Sequence, residues 1–247
     1  MAATITVNSI DVAAHAATMG FDFLWIEMEH SPITLETLRN MVLATRALPA
    51  VPFARVPVNE IWTAKRVLDA GAAGVIFPFT STPELAAQAA AACRYPPHGV
   101  RGSGPGLAKF AWPACASYHD LADDNVVCIV IIEQAEAVEN VDAIAATPGV
   151  DALFIGTSDL SFSLGLRGKQ DDPALDAAIA RVVEAGKRYG KAVGRPAASA
   201  AKIPQYMEQG FRLFQAPSEL VLMAAGAKQY LEPMGKALAA TAPRGMY

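Results

Sequence analysis

Glu133 and Asp159 each stand just beyond an apolar run that reads as a buried strand. VVCIVIIE closes on the first and DALFIGTSD on the second. Carboxylates at the carboxyl ends of two successive parallel strands converge on one face of a sheet, where they can seat a hard divalent cation. Earlier in the chain, WIEMEHSP supplies Glu27, Glu29 and His30, and FARVP supplies Arg55. The loop GTSDLS opens with Gly156, Thr157 and Ser158, and the seventh strand ends in Gly194 and Arg195. One imidazole, two guanidiniums and several carboxylates are therefore expected in a single mouth, a set suited to metal-assisted acid–base chemistry. Each residue alone has a plainer reading. Asp159 could cap the helix that follows it, an arginine can serve an ion pair, and His30 can hold a structural hydrogen bond. Convergence favours the chemical reading, because scattered residues would fall at both ends of a barrel.

The other titratable residues fit less well. His15 sits in a first helix and His119 in the polar stretch ASYHDLADD, so both are expected to be solvated; His98 lies in the loop PPHG. Lys191 begins a strand and so faces the wrong end, while Lys65, Lys187, Lys202 and Lys228 fall in helical stretches. Imine chemistry needs a lysine amine inside the barrel, so it is disfavoured and metal-assisted chemistry is left.

The elements that must position these residues alternate regularly. Strands are expected near Thr4–Val7, Phe23–Glu27, Phe53–Val56, Gly74–Pro78, Val126–Glu133, Ala152–Ile155, Lys191–Gly194 and Arg212–Gln215, with amphipathic or alanine-rich helices between most of them. Asn59 and Thr82 are candidate helix caps, and Pro83 suits a first helical turn. Eight such units favour a (β/α)8 TIM barrel over an open sheet, and no strand leads into a GxGxxG fingerprint. The glycine-rich run RGSGPG at 101–106 reads as a flexible connection between strands four and five, long for a βα loop. Strands seven and eight lack glycine-rich phosphate loops, which implies a substrate without phosphate. After Glu219 a helix is expected to run to about Ala240, longer than barrel closure requires and therefore free to pack on a neighbouring subunit, followed by the loose end TAPRGMY.

Composition sets the outer bounds. The 247 residues are 53% apolar, enough for one large domain spanning residues 1–247. A net charge of −4 with 18% charged residues gives no basic footprint for nucleic acid. No apolar run reaches the roughly 20 residues of a membrane span, and no signal peptide is expected at the N-terminus. Cys93, Cys115 and Cys128 form no CxxC pair; Cys93 and Cys128 read as small core residues, and a reduced, cytoplasmic setting fits.

Several motifs taken together carry a resemblance: GFDFLWIEMEHSP, FARVP, KRVLDAGAAGVIFP, RYPPHGVRG, the strand ending in IIE, and PGVDALFIGTSDLSFSLG. From Gly20 to about Gly226 the chain resembles the class II pyruvate-dependent aldolases of the HpcH/HpaI aldolase/citrate lyase family. The resemblance implies a metal-dependent barrel, assembled as a homohexamer, that exchanges its last helix between subunits. It implies Glu133 and Asp159 as ligands of Mg2+ or Mn2+, with Co2+ as a substitute, and His30 as acid/base acting through a water. Arg55 would hold the keto oxygen and steady the enolate. Asp69 would support the histidine across a subunit contact, and the loop amides around Gly156, Thr157 and Ser158 would receive the substrate carboxylate. The implied reaction joins a 2-oxo acid, pyruvate or hydroxypyruvate, to an aldehyde and reverses that step. Relatives usually carry Asp where Glu27 stands and Gln where Ile131 stands, and their region before the first strand is longer. A lyase acting on an acyl-CoA thioester and a non-catalytic barrel that binds 2-oxo acids are the alternatives.

Overall fold

In the computed structural model, which describes residues 1–236, eight strands close in sequence order into one barrel. They are β1 (Ala2–Ile5), β2 (Phe23–Glu27), β3 (Val51–Arg55), β4 (Gly74–Phe77), β5 (Val127–Ile132), β6 (Ala152–Ile155), β7 (Ala192–Pro196) and β8 (Leu213–Ser218). Every neighbour is parallel, and β8 pairs back onto β1. Eleven α-helices lie among the described residues: α1 (Ile10–Ala16), α2 (Leu35–Ala44), α3 (Ile61–Asp69), α4 (Pro83–Ala92), α5 (Tyr118–Asn125), α6 (Ala135–Glu139), α7 (Val141–Ala146), α8 (Thr157–Ser163), α9 (Pro173–Tyr189), α10 (Ile203–Gln209) and α11 (Glu219–Leu231).

The strand period of two sorts the apolar residues into two cores. Phe23, Trp25, Phe53, Ile76, Ile129, Ile131, Ala152 and Phe154 fill the barrel interior. Their chain neighbours Leu24, Ile26, Ala54, Val75, Val130 and Leu153 face outward into the larger core against the helices. Gly194 belongs to the inner layer because nothing larger fits: a Cβ there would lie 2.4 Å from Leu213 Cδ2 and 2.8 Å from Phe154 Cδ2.

All eight expected strands are present, with differences at their ends. β1 starts two residues earlier than the apolar pattern suggests, because Ala2–Ile5 take the register opposite Phe23–Ile26 and Ser9 already caps α1. Thr82 caps α4, its side chain accepting from the Leu85 N–H, and Pro83 occupies the first turn. Asn59 caps nothing; Glu60 holds that position, and Asn59 Nδ2 donates to Thr80 Oγ1 at 3.1 Å and to the Leu85 carbonyl at 3.2 Å.

Two connections differ from expectation. Since α4 starts directly after β4, the RGSGPG run follows a helix and lies at the amino end of the barrel, opposite the mouth. It is also anchored: Arg101 is buried, donates to Asp69 Oδ1 at 3.0 Å and lies 4.5 Å from the Tyr95 ring centre. At the other terminus α11 stops at Leu231, well short of Ala240, because a short turn containing Pro233 and a left-handed Gly235 (φ +65°) ends the ladder. The expected continuation to Ala240 and the loose end TAPRGMY fall on residues 237–247, outside the described residues. Among the described residues no helix is long and apolar enough to cross a membrane. Cys93 and Cys128 are buried free cysteines, as expected, and Cys115 is an exposed one.

Candidate active site at the carboxyl ends of the strands

Strand parity delivers the site. Glu27 follows Phe23 and Trp25 on the inner face of β2, and Arg55 follows Phe53 on β3. Glu133 continues Ile129 and Ile131, and Gly156 continues Ala152 and Phe154. All four therefore rise from the packed interior into the mouth.

Arg55 stands at the centre. Its Nη1 lies 3.3 Å from Glu27 Oε2, its Nη2 pairs with Glu29 Oε2, and Nη2 is 3.6 Å from Glu133 Oε2. Burial, the largest influence, pulls the guanidinium pKa down, but the charges of Glu27, Glu29 and Glu133 outweigh it and hold it above the ordinary value. Arg55 Nε is buried with no hydrogen-bond acceptor among the described residues, so one donor of the fork is left over.

The carboxylates around it divide their work. Glu27 is 5% exposed and organises the turn: Oε1 accepts from the Glu29 and His30 backbone N–H groups at 2.8 and 3.1 Å, and Oε2 accepts from Trp25 Nε1 at 3.2 Å. Glu29, two residues beyond Glu27, continues the alternation of Trp25 and Glu27 and turns its side chain inward. Its Oε2 meets both Arg55 and His30 Nε2, the latter at 3.3 Å. Burial first, then the charges of Glu27 and Asp159, push the Glu29 carboxyl up to about 7 against the opposing pull of Arg55. Glu133 is 1% exposed and accepts the Phe79 N–H on Oε1 at 2.7 Å. Burial raises it to about 7 as well; Phe79 and Arg55 oppose the rise, while Glu29 and Asp159 add to it.

Asp159 lies in the first turn of α8, close enough to raise both buried glutamates. It caps nothing, since Gly156 is the N-cap and no side chain bonds to that end of the helix. The first ladder bond of α8 runs from the Leu160 N–H to the Gly156 carbonyl, so the amides of Thr157, Ser158 and Asp159 precede the ladder. Gly156 is required by space: a Cβ there would lie 2.8 Å from both Cβ and Oε2 of Glu133, and 3.2 Å from Ile131 Cγ2. Ile131 itself is 1% exposed in the barrel interior below Glu133.

The donor set suits a cation. Among the described residues no group of three His, Cys, Asp or Glu closes into a metal cage. An ion here would draw on two carboxylates and complete its shell with water or substrate oxygen, as Mg2+ commonly does. Both carboxyls are raised chiefly by burial, which a bound cation would offset, and the unused Arg55 donor leaves room for an acceptor from outside the chain.

Other expected members lie elsewhere. Arg195 alternates with inward Gly194 and so points outward, 4.0 Å over the Tyr206 ring centre and 5.3 Å over that of Phe211. Burial holds its guanidinium below the ordinary value, with Tyr206 and Asp176 acting in the opposite sense. Of the two expected guanidiniums, Arg55 reaches the mouth and Arg195 does not. Asp69 closes α3, which runs back from the mouth, so within one chain it sits at the amino end with Arg101, away from His30. His98 is exposed at that same end and does not face the site. His15 is exposed as expected, whereas His119 is half-buried, its Nε2 3.0 Å from Ser103 Oγ and its ring 4.6 Å from Tyr95. Lys191 donates to the Val150 carbonyl at 2.7 Å, far from the mouth.

Sequence reasoning gave Glu29 only a supporting part and missed Phe79. The parity of WIEMEH carried the signal for Glu29; nothing in the local pattern marks a phenylalanine with φ +47°.

Comparison with known proteins places the chain as a whole. Residues 5–225 match the family model described as HpcH/HpaI aldolase/citrate lyase. The chain is 37% identical over 214 residues to a hydroxypyruvate/pyruvate aldolase of Chromohalobacter salexigens, covering 86% of this chain and 84% of that protein. It is 34% identical over 236 residues to a 5-keto-4-deoxy-D-glucarate aldolase of Salmonella arizonae, covering 96% and 90%. Among solved structures, an HpcH/HpaI aldolase/citrate lyase family protein from Burkholderia cenocepacia superposes with a TM-score of 0.88 at 37% identity, over 95% of this chain and 94% of that one.

Proposed function

The chain belongs to the HpcH/HpaI aldolase/citrate lyase family and is a carbon–carbon lyase, and we propose that it catalyses reversible aldol addition and cleavage between a 2-oxo acid, pyruvate or hydroxypyruvate, and an aldehyde. One observation carries the reading. The Arg55 guanidinium is held at the strand ends between Glu27, Glu29 and Glu133, with His30 Nε2 3.3 Å from the Glu29 oxygen that also takes Arg55.

Glu133 and Asp159 would hold Mg2+ or Mn2+, with Co2+ as a substitute, and such an ion supplies Lewis-acid polarisation of the ketone and offsets the charge that develops when the C3–C4 bond breaks. Arg55 directs its remaining donor capacity at the keto oxygen, an effect that commonly amounts to about 3 kcal/mol per well-placed donor. The amides of Thr157 and Ser158, beside Gly156, receive the substrate carboxylate. His30, directly or through a water, takes the proton from the C4 hydroxyl in cleavage and delivers one to C3 of the enolate as the 2-oxo acid is released, with the reverse transfers in addition, while Glu29 steadies the imidazole. Glu27 acts on His30 through its backbone N–H. Support of His30 by Asp69 requires an Asp69 from a neighbouring subunit, because the chain's own lies at the other end of the barrel.

The same reading includes a homo-oligomer, a hexamer, in which α11 packs on a neighbour. Support comes from α11 itself, which has no buried residue although its sequence is ELVLMAAGAKQYL. Three free cysteines suit a reduced, cytoplasmic compartment.

The test is solvent exchange of the pyruvate C3 protons, followed by a screen of 2-oxo acids against aldehydes with Mg2+, Mn2+ and Co2+. Metal should stimulate exchange, and Glu133→Ala and Asp159→Ala should abolish it and weaken metal binding. Exchange that persists after chelation and dialysis would remove the metal assignment. His30→Ala with an unchanged exchange rate would remove the base.

A further inference from the structure

The reading above leaves the backbone of Phe79 unused. This residue lies in the turn between β4 and α4 with φ +47°, in the left-handed region that a bulky L residue rarely takes. Its neighbours bolt the turn to the end of β5 and the segment that follows it. The Thr80 N–H donates to the Ile131 carbonyl at 3.3 Å, Ser81 Oγ pairs with Gln134 Oε1, and Asn140 Nδ2 donates to the Ser81 carbonyl at 2.9 Å. From the other side Asn59 Nδ2 holds Thr80 Oγ1 at 3.1 Å. Such a conformation persists only where the surroundings over-determine it, and here they do.

The conformation yields one contact at the site: the Phe79 N–H donates to Glu133 Oε1 at 2.7 Å. That bond occupies one carboxylate oxygen. The other, Oε2, looks toward Arg55 Nη2 at 3.6 Å and toward the space above Gly156, where a Cβ would stand 2.8 Å away. A main-chain donor has no rotamer freedom, so it fixes the carboxylate plane more firmly than a side chain would. The Phe79 ring is 44% exposed and is not part of that bond.

We propose that Phe79 is a positioning residue whose left-handed backbone aims an amide at Glu133 Oε1, fixing Glu133 as a one-oxygen donor with Oε2 turned to the cation and substrate. The inference rests on the reading of Glu133 as a cation ligand. It makes the backbone angle, not the aromatic ring, the property that matters at position 79.

The experiment is calorimetric titration of the full chain with Mn2+, with thermal melting as a check on folding. Phe79→Gly accepts the same φ and keeps the N–H, so its Mn2+ affinity should stay within about twofold of the parent. Phe79→Val resists positive φ, and loss of an outer-shell partner of this kind typically weakens metal binding by about tenfold or more. Replacing Phe79 with phenyllactic acid keeps ring and chain path but exchanges the N–H for an ester oxygen, and should weaken binding by a similar factor. If the valine variant does not fold, the glycine and ester variants decide. An ester variant that binds Mn2+ as tightly as the parent overturns the proposal, as does a glycine variant weakened as much as the ester. Failure of the underlying reading looks different: Glu133→Gln would then leave Mn2+ affinity at the parent value.

Discussion

Glu29 and His30 are adjacent in sequence and meet again through their side chains, with His30 Nε2 3.3 Å from Glu29 Oε2, the same oxygen that receives Arg55. A single carboxylate oxygen thus couples the imidazole to the guanidinium. Burial and neighbouring carboxylates hold Glu29 at about 7, so the coupling changes with pH near neutrality. Glu29→Gln keeps the shape and removes the titration. Pyruvate C3 proton exchange should slow by about tenfold or more, and the pH profile should lose an inflection near 7. An unchanged profile would mean that Glu29 does not act on His30.

Gly156 tests the geometry of the seat without replacing a charged residue. In Gly156→Ala the new methyl would lie 2.8 Å from Glu133 Oε2 and Cβ, closer than carbon contacts allow, so the carboxylate must swing away. The N-cap of α8 has φ −78°, which alanine accepts, so the backbone itself is not strained. The expected outcome is a folded protein whose Mn2+ affinity falls by about tenfold or more. Parent-like affinity in titration calorimetry would place the ion elsewhere.

The raised carboxyls also set a pH dependence of stability in the metal-free protein. Glu133 and Glu29 sit at about 7 when folded against an ordinary value of 4.5, so the folded state binds more protons between those values. Their contribution is fully favourable below 4.5, is lost progressively as pH rises, and is gone above about 7. One pKa unit corresponds to about 1.4 kcal/mol, so the loss is on the order of a few kcal/mol for the coupled pair. Thermal melts without metal should therefore show Tm falling from pH 5 to pH 8 through these groups. A divalent ion should restore most of the loss at pH 8, because it binds the ionised carboxylates. A metal-independent Tm across this range would contradict the assignment.

Much of this site was legible in the sequence because barrel strands translate position into direction. Once the ends of β2, β3, β5 and β6 are read, parity alone turns Glu27, Arg55, Glu133 and Gly156 inward. The same rule explains the error at Arg195: one residue past inward Gly194, it must face α10. The RGSGPG run does lie between strands four and five, but after a helix and not in a βα loop, for a topological reason. Thr82 and Pro83 start α4 at once, which sends the long connection to the amino end, where α3, running back from the mouth, also leaves Asp69. Phe79 was not legible, since its positive φ follows from bonds to Ile131, Glu133, Gln134 and Asn140, residues far along the chain. Partners of α11 are equally invisible to a single chain.

That last helix offers a direct test of assembly. Along α11, Met223 is 67% and Tyr230 79% exposed, and Leu220 and Leu222 are nearly half exposed. A glutamate at position 223 costs nothing if this face meets water, because an exposed surface substitution usually changes stability by less than about 0.5 kcal/mol. If the face is covered by a second copy of the chain, the same substitution buries an unpaired charge, a cost of several kcal/mol. Met223→Glu should then shift the native mass from a multiple of 26.0 kDa toward a smaller species in light scattering. Exchange activity should fall with it, since Asp69 can reach a His30 only across a subunit contact. A parent protein that runs as a monomer, or a variant of parent mass and activity, would remove both the assembly and the shared site.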